Sequence, residues 1–377
     1  MPIVALFKCD SYTSERIDDI VRKCISLHNF SRGDKVWVKA NMLSARPVEK
    51  CVTTHPVIID SVCRALLDLG TRPTIGDSPG IEPFPLVARI SGIAEVGKRL
   101  GIPVKELSNS TVCPPNERRV NKRLELARDI LESDVVVSLP KLKTHCQMQL
   151  SMAIKNLFGT VVGQRKARWH YDVGLDRTRF ANVLLDITVS VPPLLSIIDG
   201  IDGMEGHGPA NGTPRHFGLI GASEDPVALD ATLCEMVGLS ASDYVLLQAA
   251  KTRGIGDVTL SDTQYIGDLP PSYRFENVKI PTLDALRLMP RFMDTFGRHF
   301  LSSRPVQIQE DCIACGRCAA ICPADALKLT VKTKTLTFDY SKCIRCYCCH
   351  EMCPKGAITF RDAPLLAVLK MLGICRV

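Results

Sequence analysis

Two hydrophobic periods take turns along the first three quarters of the chain. VALFKC, KVWVKANML, RPTIGDSP, IPVKEL, LLSIIDG and FGLIGA are short runs rich in apolar and β-branched residues, the pattern of buried strands. Between them lie stretches with apolar residues three and four apart. In SERIDDIVRKCISLHNF, Ile17, Ile20, Val21, Cys24 and Ile25 share one helical face and Ser14 stands where an N-cap belongs. HPVIIDSVCRALLDLG closes on Gly70, a helix stop. VARISGIAEVGKRLG, NKRLELARDILESD, DPVALDATLCEMVG and SDYVLLQAAKTRG read as further helices, and VVVSLPKLKTH as one more strand. The alternation predicts an α/β domain with a mainly parallel sheet. In such sheets ligands bind at the carboxyl ends of the strands.

The pattern changes near residue 280, and four segments follow from it: an α/β domain at 1–280, a connecting helix at 281–304, a cysteine-rich unit at 305–361 and an apolar helix at 362–377. The last, APLLAVLKMLGICRV, has only Lys370 and Arg376 to make a basic face, so docking on the protein is expected over lying on a membrane.

Within the third segment the chain repeats itself. CIACGRCAAICPADAL, from Cys312, and CIRCYCCHEMCPKGAI, from Cys343, both read C-x-x-C-x-x-C-x-x-x-C-P. That is the bacterial 4Fe-4S run, in which three closely spaced cysteines wrap one cubane and the fourth reaches the other. One cluster is therefore assigned Cys312, Cys315, Cys318 and Cys353; the other takes Cys343, Cys346, Cys349 and Cys322. Cys348 is left over, because choosing it over Cys349 breaks the spacing. A pair of zinc knuckles would need paired ligands rather than two runs of three with a distant fourth. KLTVKTKTLTFDYSK, between the copies, reads as a strand pair. The segment resembles a two-cluster bacterial ferredoxin, an α+β unit that relays single electrons.

Composition narrows the setting. Seventeen cysteines stand in a chain whose first residues, MPIVALFKCD, look like a strand rather than a secretion signal, which favours a reducing, cytoplasmic compartment and metal ligation over disulfides. No stretch is long and apolar enough for a transmembrane helix. The formal net charge of +7 does not mark nucleic-acid binding, since the basic residues are spread along the chain. Two cubanes would draw the net charge down to about +3.

Polar residues after the strands of the first domain are the candidates for chemistry. Pro140–His170 carries Lys141, Lys143, Lys155, Lys166, His145 and His170. Cations and imidazoles at this density suit an anionic ligand, although the same density fits a solvated basic loop. DGIDGMEGHGPANGTPRHFG carries Asp199, Asp202, Glu205, His207 and His216, which suit a divalent metal, acid–base work or an ordinary Asp/Gly turn. No dinucleotide or P-loop fingerprint is present; flavins bind without either. Cys51 and Cys146 lie near these loops and read as buried thiols.

VKANML, VTTHPVIIDSVCRALLDLG, GDSPG, SLPKLKTH, AIKNLFG, DGIDGMEGHGP and SEDPVALDA, spanning Lys39 to Ala231, resemble domain-of-unknown-function family 362, found alone or fused to ferredoxin modules in anaerobic bacteria and archaea. The matching motif positions are Lys39, Asn41, His55, Asp77, Lys141, Lys143, His145, Lys155, Asn156, Asp199, Glu205 and Gly206. The resemblance implies one shared site. The expected function is a ferredoxin-linked oxidoreductase served by a redox partner protein, with Lys39, Asn41, His55, Asp77, Lys141, Lys155 and Asn156 around an anionic substrate or cofactor. Lys143, His145 and His170 would be catalytic, and Asp199 with Glu205 would take an additional metal or orient the histidines. A non-catalytic electron carrier or maturation partner is the alternative.

Overall fold

The computed structural model describes residues 1–174, 176–281 and 302–372. The first domain is built on β1 (Ile3–Lys8), β2 (Lys35–Ala40), β3 (Arg72–Asp77), β4 (Val104–Glu106), β5 (Ser110–Val112), β6 (Glu125–Ala127), β7 (Val135–Leu139), β8 (Lys141–His145), β9 (Gln149–Ser151), β10 (Leu194–Glu205), β11 (Thr213–Ser223) and β12 (Gln264–Gly267). The central sheet has the order β12-β1-β11-β10-β7-β2-β3-β4. Along that path only β11 runs against its neighbours, so the sheet is mainly parallel. Helices cover both faces. Ile17–Ile25, Pro56–Asp68, Phe84–Ile90 and Ile93–Leu100 pack on one core. Arg177–Thr188, Pro226–Met236 and Val245–Arg253 pack on the other.

The helix ends follow local chemistry. His55 caps Pro56–Asp68 by accepting from Val57 N at 3.3 Å, and Asp225 caps Pro226–Met236 at Val227 N, 2.8 Å. The first helix starts later than its pattern predicts, at Ile17, with Ser14 Oγ accepting from Arg16 N. VARISGIAEVGKRLG makes two helices rather than one, because Gly92 sits between them at φ +76°. NKRLELARDILESD is mostly not helical. Leu124 and Leu126 point into the core at strand spacing, β6 pairs with β5, and helix is confined to Arg128–Leu131.

The stretch read as the single strand VVVSLPKLKTH is two. β7 ends at Leu139; past Pro140, β8 pairs with β10 through Asp199↔Lys141 and Met204↔Lys143, and with β9. All five β8 residues are buried. Alternation puts Leu142 in the core and Lys141, Lys143 and His145 on the opposite face.

The C-terminal unit pairs β13 (Arg304–Gln307) with β16 (Ile358–Arg361), and β14 (Leu327–Thr330) with β15 (Thr335–Phe338). Short helices Arg317–Ala320 and Cys348–Glu351 repeat at the sequence offset. This is the ferredoxin-like α+β arrangement. The expected connecting helix falls mostly on 282–301, outside the described residues. The tail is helical over Pro364–Met371, with Leu366 buried and Val368 and Met371 exposed. Among the described residues no helix is long and apolar enough to cross a membrane.

Candidate functional site

The cysteine repeat folds as two matching halves. Ala314 and Arg345, Gly316 and Tyr347, and Asp325 and Gly356 are three pairs of equivalent positions in the two copies, and all six residues have positive φ. Left-handed residues turn successive amides toward one side, a geometry that suits an anionic centre. Cys312, Cys315, Cys318 and Cys353 line one cavity together with Leu329, Leu336 and Ile358. Around the other position, burial and then Cys346, Cys343 and Cys322 push the Cys349 thiol up. The fourth cysteines match too: Cys322 Sγ accepts from Ala326 N at 3.3 Å and Cys353 Sγ from Ala357 N at 3.1 Å. Among the described residues neither quartet brings three ligand atoms within 4.8 Å of one another, the spacing of a single-ion site. Donor type, crossed grouping and amide-to-sulfur bonds fit 4Fe-4S clusters better than single ions.

A cleft of about 110 Å³ lies between the two domains. The α/β domain lines it with Asn41, Asp77, Ser78, Lys143, Lys155, Asn156, Lys166 and His170; the C-terminal unit contributes Ile321, Cys348, Glu351 and Met352. The sequence reading missed that second wall. Cys348, the thiol left over from the ligand pattern, is part of it, and Glu351 is a carboxylate among the cysteines that no spacing rule singles out. Cross-domain hydrogen bonds hold the wall in place. Arg46 Nη2 donates to Cys353 O at 2.8 Å, Asn211 Nδ2 to His350 O at 2.5 Å, and Arg317 pairs with Glu82.

The cleft is cationic. Lys155 Nζ lies 5.5 and 5.6 Å from the Phe158 and Phe180 ring centres and makes no hydrogen bond or ion pair among the described residues. Lys143 donates to Asn41 Oδ1 at 2.6 Å and Val52 O at 2.8 Å; Lys166 donates to Ser78 O at 2.7 Å. Burial lowers both amines to about 7. Lys39 pairs with Asp77 at 2.8 Å behind them, and Asp77 also accepts from Met42 N and Ser78 N. Asn156 gives its Nδ2 to Ser138 Oγ and Lys39 O, leaving Oδ1 without a partner among the described residues. His170 Nδ1 also has no partner among the described residues, and burial, then Lys155, holds the ring at about 3.

His145 lies just behind the cleft. Its Nδ1 accepts from Gln147 N at 3.1 Å and Met148 N at 3.4 Å, so the neutral ring carries its proton on Nε2. Nε2 lies 3.4 Å from Glu351 Oε1. His145, Cys146 and Glu351 are grouped tightly enough for a metal ion. A metal would need the Nε2 lone pair, which this tautomer does not offer, so the arrangement fits a proton donor better than a ligand. Burial raises Glu351 to about 7 against the pull of Lys155 and Lys143.

Other predicted residues lie elsewhere. Lys141 bonds to Asp199 at 2.8 Å and to Tyr12 at 2.7 Å. Asp199 further accepts from Tyr12 and His55 N, and the His55 ring stacks on Tyr12 at 3.6 Å. This closed network is apart from the cleft lining. Glu205 bonds Arg215 at 2.7 Å. Asp199 and Glu205 lie on either side of an irregular stretch of β10, have separate partners, and are not grouped closely enough for one metal ion among the described residues.

Fold and site define an iron–sulfur protein: an α/β domain joined to a ferredoxin-type electron-transfer unit. A family model for a domain of unknown function, DUF362, matches residues 36–235, and one for a 4Fe-4S dicluster domain matches 311–357. The chain belongs to the DUF362 family. A thylakoid-associated protein of Synechocystis sp. is 32% identical over 305 residues, covering 79% of this chain and 94% of that one. NADH-quinone oxidoreductase subunit I of Pelobacter propionicus is 32% identical over 80 residues, 18% of this chain and 42% of that protein. Among solved structures, lactate racemase apoprotein from Thermoanaerobacterium thermosaccharolyticum aligns with a TM-score of 0.34 at 10% identity, over 56% of this chain and 54% of that one.

Proposed function

We propose that the protein is a ferredoxin-linked oxidoreductase whose interdomain cleft holds an anionic substrate or cofactor. The observation that supports this most is the shared lining: Lys143, Lys155 and Lys166 face Cys348 and Glu351 across one small space. Two 4Fe-4S clusters, held by the crossed quartets, would supply single electrons. The chain's own residues do the rest. Lys155, with no hydrogen bond or ion pair among the described residues, takes the anionic group, and Lys143 and Lys166 complete the cationic floor. Asn156 Oδ1 accepts from a donor on the ligand. Glu351, raised to about 7, moves the proton, with the His145 Nε2–H directed at it from behind the cleft and His170 Nδ1 offered to the ligand as an acceptor. Met352 and Ile321 exclude water from the side nearest the cysteines, which strengthens each charge interaction. Lys141, Asp199 and His55 hold the strand ends that carry this floor.

The test is anion-dependent stability of anaerobically purified protein. Phosphate, sulfate and oxalate are titrated during thermal unfolding, because a ligand that binds the native state raises its stability by mass action, about 2.7 kcal/mol at a hundredfold excess over Kd. At least one anion is expected to stabilise the wild type and not Lys155→Gln, with iron content and cluster absorbance equal in both. Equal stabilisation of both proteins would remove the site from the cleft. No stabilisation of the wild type by any of the three would favour the carrier or maturation-partner reading.

A further inference from the structure

We infer that the face around Ile313, Cys315 and Val331 is the docking surface for a second protein, a small one-electron carrier. The inference rests on the proposed electron-transfer reading and adds where electrons are exchanged with the outside. The molecule contains its own reference, because the cysteine repeat presents the same loop twice. In the second copy Cys346 is buried, in an apolar cluster with Ile321, Cys348 and Met352 against which Ile344 and, from the α/β domain, Ile81 and Ala167 pack. That loop is a face on which a protein domain sits. In the first copy the equivalent residue, Ile313, is 53% exposed, and Cys315 is exposed beside it. The backbone is alike in both copies, with positive φ at 314 and 345 and at 316 and 347. The same loop therefore joins an apolar cluster shared with the α/β domain in one copy and is open in the other among the described residues.

A second exposed apolar residue lies on the hairpin that flanks this loop. Val331 is 65% exposed at the tip of the β14–β15 hairpin. The hairpin rests beside the first loop, since a methyl group on Gly316 would lie 3.9 Å from Leu329. Gln309 Nε2 ties the tip to the chain just before the loop by donating to Thr333 O at 3.1 Å. A lone exposed aliphatic residue means little. Two of them, next to an exposed ligand cysteine, make an apolar contact centre where a partner's redox group comes nearest. Exposed Lys332, Lys334 and Lys355 outnumber Glu310 and Asp311 around it, which favours a carrier with an acidic rim. The second copy cannot offer this contact while the α/β domain covers it.

The experiment uses the full chain with clusters loaded and a flavodoxin as probe. Binding of oxidised flavodoxin is measured by calorimetry, and bleaching of cluster absorbance by reduced flavodoxin is followed in stopped flow, with dithionite as the small reductant. Val331→Glu and Ile313→Glu are each expected to weaken flavodoxin binding at least tenfold and to slow its reduction step similarly. Iron content and the dithionite rate should not change. Val120→Glu, the same change at a 60% exposed position of the α/β domain, should bind as the wild type does. Wild-type affinity in both Val331→Glu and Ile313→Glu would overturn the docking surface, as would an equal loss in Val120→Glu or no binding by the wild type. Val331 is not part of the cysteine cavity, so it remains a valid test if Ile313→Glu loses iron. Anion stabilisation is read without any carrier, so the cleft and the docking surface can fail separately.

Discussion

The two halves of the cysteine repeat share a ligand pattern, helix positions and left-handed residues, yet they have opposite surroundings. In the first half the loop Cys312–Gly316 is open, with Cys315 exposed. In the second, Arg345–Cys349 is buried, and Cys348 and Glu351 on the following helix line a cationic cleft. Local geometry is therefore set by the repeat, while environment is set by what packs on it. A buried cysteine loop flanked by lysines and an open one flanked by solvent sit in different fields, because charge interactions strengthen as water is excluded. From one repeated sequence the fold makes a buried cysteine loop and an open one.

The largest test of that asymmetry removes the clamp that creates it. The Glu82 carboxylate is almost wholly buried; it pairs with Arg317, accepts from Ala45 N at 2.5 Å and lies in the field of Arg46. Glu82→Ala leaves these cations facing one another without their carboxylate. Breaking such a pair costs about 3 kcal/mol, the low end being apt because Arg317 is partly exposed. In hydrogen exchange the amides of 344–352 should then lose protection and come to resemble those of 313–321, with the α/β core unchanged. Continued protection of the second copy would mean that another contact holds the domains together.

The cleft side sharpens the comparison through pH. Lys143 and Lys166 sit near 7, lowered first by burial, and for Lys143 next by Lys141 and Lys155. An anion attracts the ammonium form and raises the amine again, so binding takes up protons. Affinity is then full below pH 7 and falls above it, about tenfold per unit for each lysine that must be charged. Sulfate is the suitable probe, since its own charge is constant over this range. Sulfate affinity unchanged between pH 6 and 9 would show that neither amine meets the anion.

Much of this was legible in the sequence, but unevenly. The ferredoxin-type unit was plain from the repeated cysteine spacing, which the 4Fe-4S dicluster match bears out. The α/β alternation was equally plain. What failed was local. Pro140 split an apparent strand, and Gly92 split an apparent helix. Leu124 and Leu126 chose strand spacing in a segment rich in helix formers, because pairing with β5 and burial outweigh propensity there. The lysines show the limit more sharply. Lys141 and Lys143 share one face of β8, yet Lys141 is committed to Asp199 and Tyr12, while Lys143 borders the cleft. Alternation gives the face, not the partner. Nor could spacing reveal that Cys348 and Glu351 close the site, because that depends on how the second domain docks.

The smallest effects come from the few positions where the two copies differ in backbone cost. Gly316 and Tyr347 occupy equivalent left-handed turns, as do Asp325 and Gly356, so each copy has glycine where the other does not. A side chain at Gly316 would meet nothing nearer than Leu329 at 3.9 Å. Gly316→Ala should therefore cost only the backbone term, about 1 kcal/mol. Tyr347 tolerates φ +61° because its ring meets Phe360 edge-on at 4.8 Å and its hydroxyl donates to Ser303 O at 2.9 Å; Tyr347→Gly should destabilise despite relieving the turn. Asp325 is exposed at φ +48°, so Asp325→Gly should gain about 0.5 kcal/mol, the relief slightly exceeding the added entropy of the unfolded chain. Chemical denaturation of the loaded protein reads all three. If Tyr347→Gly proved as mild as Asp325→Gly, burial of the second copy would contribute little to its stability, and the contrast between the halves would be one of exposure alone.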